Sequence, residues 1–188
     1  MLRITVFTPT YNRAYSLPRL YKSLQRQTVY NFEWLIVDDG SIDNTHELIE
    51  KWKNEKNKFP IYYYWQKNGG KCRAINKALE HAKGLLFFTV DSDDYLTDDA
   101  IEKIIGWEAD IRDKTGFCGI AGNLGTTPYD TPNSILKADY FDGTALDRYR
   151  NIDGERAMVF YTDIHRKYKY PEFKGENFIT EAVAWNRM

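Results

Sequence analysis

The chain has 188 residues, 43% apolar and 15% aromatic, enough for one domain with a buried core and too apolar for disorder. Its charges nearly cancel, to a formal net charge of -1, which excludes a generic nucleic-acid backbone binder. Cys72 and Cys118 are too few for a disulfide framework or a structural zinc site. The longest apolar stretch, Leu85 to Val90, falls far short of a membrane span, and no signal-peptide segment opens the chain. A soluble, cytoplasmic domain is expected.

The elements alternate in chain order. Ile4 to Thr8, β-branched and aromatic, reads as a first strand that stops at Pro9. Ser16 is the expected cap of a helix carrying Leu17, Leu20, Tyr21 and Leu24, with Pro18 tolerated in its first turn. A second strand, Phe32 to Val37, ends in Asp38-Asp39-Gly40-Ser41. Thr45, Leu48, Ile49 and Trp52 then share one helix face, with Ser41 or Asp43 as cap. Ile61 to Trp65 is a third strand. After Asn68-Gly69-Gly70, a helix turns Ile75, Ala78, Leu79 and Ala82 inward. A fourth strand, Leu85 to Val90, runs into Asp91-Ser92-Asp93-Asp94. Asp98 is the expected cap of a helix with Ile101, Ile104 and Ile105 inward. Beyond residue 110 the periodicity loosens, and only short strands around Phe117 to Ala121 and Ala157 to Tyr161 are expected. The β-α-β-α order predicts an α/β fold with a mostly parallel sheet covered on both faces.

Ligands of such sheets bind outside the carboxyl ends of the strands, where this sequence concentrates its polar residues. Three carboxylates within Asp91 to Asp94 repel one another unless a cation or proton lies among them. Oxygen ligands favour a hard ion, Mg²⁺ or Mn²⁺, that keeps positions open for a diphosphate. An EF-hand on Asp91, Asp93 and Glu102 fails, because Leu96 stands where the loop needs glycine. Asp38-Asp39-Gly40-Ser41 reads equally as a strand-to-helix turn or a functional loop. Asn68-Gly69-Gly70-Lys71 lacks P-loop spacing and reads as a tight turn in preference to a phosphate cradle. Of the three histidines only His165 is a candidate for function. The tyrosines from 161 to 170 read as either core or sugar-stacking platforms.

Together these segments resemble the GT-A fold glycosyltransferases of family 2. Thr8-Pro9-Thr10-Tyr11-Asn12-Arg13 is similar to the family's first motif and Trp34 to Ser41 to its second. Asn68-Gly69-Gly70-Lys71 with Asn76 is similar to the glycine-rich segment, and Asp91-Ser92-Asp93 to the D-x-D signature. The resemblance implies that Thr8, Pro9, Tyr11, Asp38 and Asp39 line the nucleotide pocket, with Asp39 toward the base. It implies a base or phosphate contact for Lys71, and a ribose or metal-bound water contact for Asp91. Asp93, with Asp91, is the implied holder of Mn²⁺ or Mg²⁺, and Asp94 stands in second rank. Many relatives carry arginine where this chain has Ile75, and Arg73 is the conjectured substitute.

Phe178 to Arg187 resembles the family's acceptor-side motif, which makes Glu181 the implied catalytic base and Glu176 the reserve. The usual Glu-Asp pair reads Thr180-Glu181 here. The implied activity is inverting, metal-dependent transfer from a nucleotide-sugar, UDP-sugar favoured, to a glycan or lipid-linked acceptor in surface polysaccharide synthesis. Residues 1–97 would form the nucleotide-sugar half of a single domain and 98–188 the acceptor half, with loops after residue 120 closing over the site. Relatives usually continue beyond the point where this chain stops, which leaves open a C-terminal truncation and peripheral association with the membrane. A sugar-1-phosphate nucleotidyltransferase would need a glycine-rich loop after the first strand, which Pro9 to Arg13 is not. A non-catalytic nucleotide-binding relative is the third reading.

Overall fold

The computed structural model describes residues 2–127, 140–144, 147, 150 and 155–188. Strands β1 (Ile4–Thr10), β2 (Phe32–Asp38), β3 (Ile61–Trp65) and β4 (Leu86–Thr89) alternate with helices α1 (Leu17–Gln25), α2 (Thr45–Lys53), α3 (Lys71–His81) and α4 (Ala100–Ile111). Strands β5 (Gly119–Asn123) and β6 (Arg156–Tyr161) and the short helices α5 (Thr162–His165) and α6 (Ala182–Trp185) follow. The sheet order is β3-β2-β1-β4-β6-β5. The first four strands pair in parallel, whereas β6 runs antiparallel to both β4 and β5.

Alternation along the strands sorts two cores onto the two faces. Ile4, Val6, Trp34, Ile36 and Phe88 meet α1, α2 and α4 on one side. There the rings of Tyr21, Trp34 and Trp52 form one cluster, with Tyr21 stacked 5.8 Å from Trp34 and 4.4 Å from Trp52, centroid to centroid. On the other side Phe7, Leu35, Val37 and Phe87 meet α3, Tyr170 and Ala184. The order reverses between β1 and β4, so a crevice opens at their carboxyl ends, as expected for a doubly wound sheet.

Several element ends differ from the sequence expectation. β1 continues through Pro9 to Thr10. Its pairing with β4 ends at Phe7↔Thr89 while that with β2 goes on through Thr10↔Asp38. Pro9 therefore lies past the last β4 pair, where its missing N–H costs no ladder bond and lets β4 diverge. Ser16 occupies the cap position of α1 but its hydroxyl turns back to Arg13 O. Asn44, not Ser41 or Asp43, precedes α2, although Asp43 Oδ1 accepts from Thr45 N–H at 3.1 Å. Asp99 takes the place expected of Asp98, which pairs with Arg26 instead. Tyr170 is core, at 2% exposure, and Tyr161 lies in β6 with its hydroxyl toward Glu108.

His165 is also a core residue. It is 1% exposed, edge-on to Phe87, Phe160 and Tyr170, and neither ring nitrogen has a hydrogen-bond partner. Burial pushes its pKa down to about 4. The unfolded chain therefore binds a proton that the folded chain refuses between about pH 6.5 and 4. Stability is expected to fall by up to about 3 kcal/mol as pH drops through that window. Thermal melts of wild type and His165→Leu from pH 7.5 to 4 check this, since the variant should lose part of the acid sensitivity.

Candidate active site

The β1 and β2 ends form one group. Thr8 is buried, and its Oγ1 accepts from Trp34 Nε1 at 3.0 Å. Asp38 is also fully buried, accepting from Ser41 N–H at 2.7 Å and from the Tyr63 hydroxyl at 2.8 Å. Burial, then the hydrogen bond to Asp38 and its charge, raises the Tyr63 phenol pKa, so Tyr63 remains a donor. Pro9 is half-buried and Tyr11 is 48% exposed at the crevice. Asn12, at φ 53, interlocks this loop with the next, receiving Ile42 N–H on its side chain while its own N–H reaches Ser41 Oγ.

Asp39 looks across to the glycine segment. Its carboxylate accepts from Gln66 Nε2 at 2.7 Å, Gly69 N–H at 2.9 Å and Gly70 N–H at 2.7 Å. The two successive amides that a phosphate cradle would need are thus already aimed at an internal anion. Asn68-Gly69-Gly70 is a turn clamped by Asp39.

Residues 70–76 seat the segment that carries Glu181. Gly70, at φ +92, lies so close to Asn177 that a Cβ would stand 1.8 Å from its carbonyl oxygen. Cys72 Sγ donates to Ile179 O at 2.9 Å. Asn76 bonds both ways with the Tyr170 backbone, at 2.9 Å each. Arg73 donates to Gly69 O, Phe173 O and Glu176 O. With Glu172 Oε2 also 3.4 Å from its Nε, the guanidinium is engaged by the 172–177 segment, which corrects the expectation that it replaces a phosphate-binding arginine. Ile75 is core, at 1% exposure. Glu176 is exposed, with Oε1 accepting from Phe178 N–H.

Lys71 joins the two sides of the site. Its Nζ lies 2.7 Å from Asp91 Oδ1, donates to Asp91 Oδ2 at 3.0 Å, and lies 3.1 Å from Glu181 Oε1. Burial alone would lower the ammonium pKa, but Asp91 and then Glu181 outweigh it and raise it. Lys71 is accordingly cationic at neutral pH. The carboxyl of Asp94 is pushed up by burial, then by Asp91 and Asp93. Asp93 is turned outward, 3.8 Å from Arg13, and its carbonyl accepts from Arg19. Lys71, Asp91, Asp94 and Glu181 line one cleft of about 870 Å³ at the carboxyl end of β4. Thr8, Pro9, Tyr11, Asp38, Asp39 and Asp93 are not among its lining residues.

No group of three or more His, Cys, Asp or Glu side chains positioned for a metal occurs among the described residues. The acids still fit a hard ion that draws its remaining ligands from a substrate diphosphate and water, which needs only one or two carboxylates. Asp91 Oδ1 is buried without a well-directed hydrogen bond, and the charges of Asp91 and Asp93 add to burial in raising the Asp94 carboxyl, as crowded like charges do. The bridging role of Lys71, and the contacts of Arg13 and Arg19 with Asp93, are not legible in the sequence, where no local pattern signals partners so distant along the chain.

A sequence model of the family described as glycosyl transferase family 2 matches residues 5–177. The chain belongs to glycosyltransferase family 2. Chondroitin synthase and hyaluronan synthase of Pasteurella multocida are each 36% identical to this family 2 chain over 96% of its length. The chain spans 15% of the length of each synthase. Among solved structures, Staphylococcus aureus TarS in complex with UDP-GlcNAc superposes with a TM-score of 0.76 at 24% identity, over 97% of this chain and 53% of that one. A mannosyltransferase from Pyrobaculum calidifontis with GDP-Man and Mn²⁺ gives 0.66 at 22% identity, over 90% of this chain and 47% of that one. The fold of this family 2 chain is thus GT-A. No helix among the described residues is long and apolar enough to cross a membrane.

Proposed function

We propose that this domain transfers a sugar, with inversion, from a nucleotide-sugar donor to a glycan or lipid-linked acceptor. The observation that carries the reading is the meeting of Asp91 and Glu181 around Lys71 in one cleft at the carboxyl end of β4. Family membership and the names of the two synthases support a role in polysaccharide synthesis. A UDP-sugar is favoured as donor, in line with the UDP and UDP-GlcNAc complexes of TarS. Residues 1–97 form the donor half and residues 98–188 the acceptor half. Peripheral membrane association goes with the lipid-linked acceptor.

Glu181 acts as the general base. Its carboxylate takes the proton of the acceptor hydroxyl as the oxygen attacks the anomeric carbon, opposite the departing nucleoside diphosphate. General-base catalysis of this kind contributes about 10²- to 10⁴-fold. Asp93 and Asp91 would hold Mn²⁺ or Mg²⁺, which supplies Lewis-acid stabilisation of the leaving diphosphate's charge. Tyr11 and Pro9 border the base and ribose, while Asp38 and Asp39 act from below by fixing the loops. Thr8 supports the same floor through Trp34. The loops expected to exclude water lie in part at residues 128–139, 145–146, 148–149 and 151–154, outside the described residues.

The test is calorimetric titration of UDP, with GDP as comparison, with and without Mn²⁺, on wild type and Asp93→Ala. Binding of UDP that requires Mn²⁺ and weakens at least about tenfold in Asp93→Ala is expected. Absence of nucleotide binding under every metal condition overturns the reading.

A further inference from the structure

Lys71 occupies an unusual electrostatic position for a residue that the family resemblance assigns to the nucleotide. Its ammonium has three donor hydrogens, and two carboxylates already surround it at 2.7 to 3.1 Å. Asp91 is also one of the two acids that would hold the divalent ion. A dication and an ammonium compete for the same carboxylate, because each raises the electrostatic cost of the other beside it. Close contacts pin the backbone on both sides of the lysine. Lys71 opens α3 directly after Gly70, whose N–H is held by Asp39 and whose Cα abuts Asn177. Glu181 is anchored from behind, Cys72 holding Ile179 and Arg73 holding Phe173 and Glu176.

We propose that Lys71 is an internal counter-cation, a positioning residue that holds Glu181 and Asp91 together in the donor-free molecule and yields Asp91 to the metal when donor arrives. This rests on the glycosyltransferase reading and goes beyond it. Before loading, the single positive charge of Lys71 stands between two negative ones and keeps the acceptor-side carboxylate next to the donor-side one. On loading, the flexible lysine stem moves its ammonium off Asp91, while the backbone around it stays pinned.

The inference predicts an effect of opposite sign to a simple phosphate contact. Removing a phosphate contact weakens UDP binding, whereas removing a competitor for Asp91 eases metal entry. UDP titrations at a series of Mn²⁺ concentrations, on wild type, Lys71→Met and Lys71→Arg, separate the two. Lys71→Met is expected to lower the Mn²⁺ concentration needed for half-maximal UDP binding by about tenfold, and Lys71→Arg to keep it near the wild-type value. A melt without ligand should show Lys71→Met folded but less stable than wild type, with the difference narrowing in saturating Mn²⁺ and UDP. A Mn²⁺ requirement that is unchanged or raised in Lys71→Met overturns the inference while leaving the donor site standing. Failure of wild type to bind UDP at any Mn²⁺ concentration removes the donor site and this inference with it.

Discussion

Glu181→Gln is expected to remove sugar transfer, by about 10²- to 10⁴-fold, while UDP binding in the presence of Mn²⁺ stays within about threefold of wild type. The amide keeps the size of the side chain and an oxygen that faces Lys71, so the segment carrying it keeps its seat on α3. It cannot accept the hydroxyl proton. Transfer measured with UDP-GlcNAc and other UDP-sugars against oligosaccharide acceptors, beside calorimetry of UDP, checks both halves. Undiminished transfer by Glu181→Gln sinks the base assignment, and Glu176→Gln is then the next variant to make, although its exposed carboxylate already accepts from Phe178 N–H.

Gly70→Ala is expected to have the largest effect of any single methyl group added to this site. The residue sits at φ +92 and ψ 161, a region essentially restricted to glycine, where an L side chain costs about 1–3 kcal/mol. The new Cβ would also stand 1.8 Å from Asn177 O, a backbone atom with no rotamer to give way. Either the Asp39 clamp on the glycine amides breaks or the segment from Asn177 to Glu181 moves. A loss of about 3 kcal/mol or more follows, lowering Tm by about 6 to 12 °C. Transfer should fall at least about a hundredfold, because displacing a catalytic group by about 1 Å is enough to do so. A melting curve and a transfer assay on Gly70→Ala decide it. Unaltered stability would mean that the Gly70–Asn177 approach is not held in solution.

The parts of the fold that the sequence discloses are those with a strong period. Leu17, Leu20, Tyr21 and Leu24 recur at helical spacing and do form the buried stripe of α1. Phe32 to Val37 is one unbroken apolar run save Glu33, as a strand buried on both faces should be. Helix caps were less legible, since Ser16, Asp43 and Asp98 each offer a suitable side chain and tertiary partners decide which is used. β5 lies two residues beyond its expected place, because Gly119 and Gly122 carry no propensity signal. Gly119 is there for another reason, as a Cβ would meet Val159 O at 2.1 Å.

The site was legible as a set of motifs and illegible as a set of contacts. Asp39 and Gly69-Gly70 were each singled out, but their mutual hydrogen bonds depend on β3 bringing the β2 end beside the α3 start. The contacts of Arg73 are hidden for a similar reason. A guanidinium next to a glycine turn suits phosphate equally well, and only the fold reveals the carbonyls of Phe173 and Glu176 waiting for it.

The seating of residues 170–181 on α3 bears on how such enzymes can be recombined. Chimeras that exchange the second half of the chain for that of a relative, cut anywhere after β4, would pair a foreign acceptor segment with a native Gly70, Cys72, Arg73 and Asn76. The joint between them is made of backbone carbonyls, one close glycine contact and a lysine between two acids. Independent inheritance of its two sides is expected to break it. Residues 68–76 and 170–181 are therefore expected to be exchanged successfully only together, although nearly a hundred residues of sequence separate them.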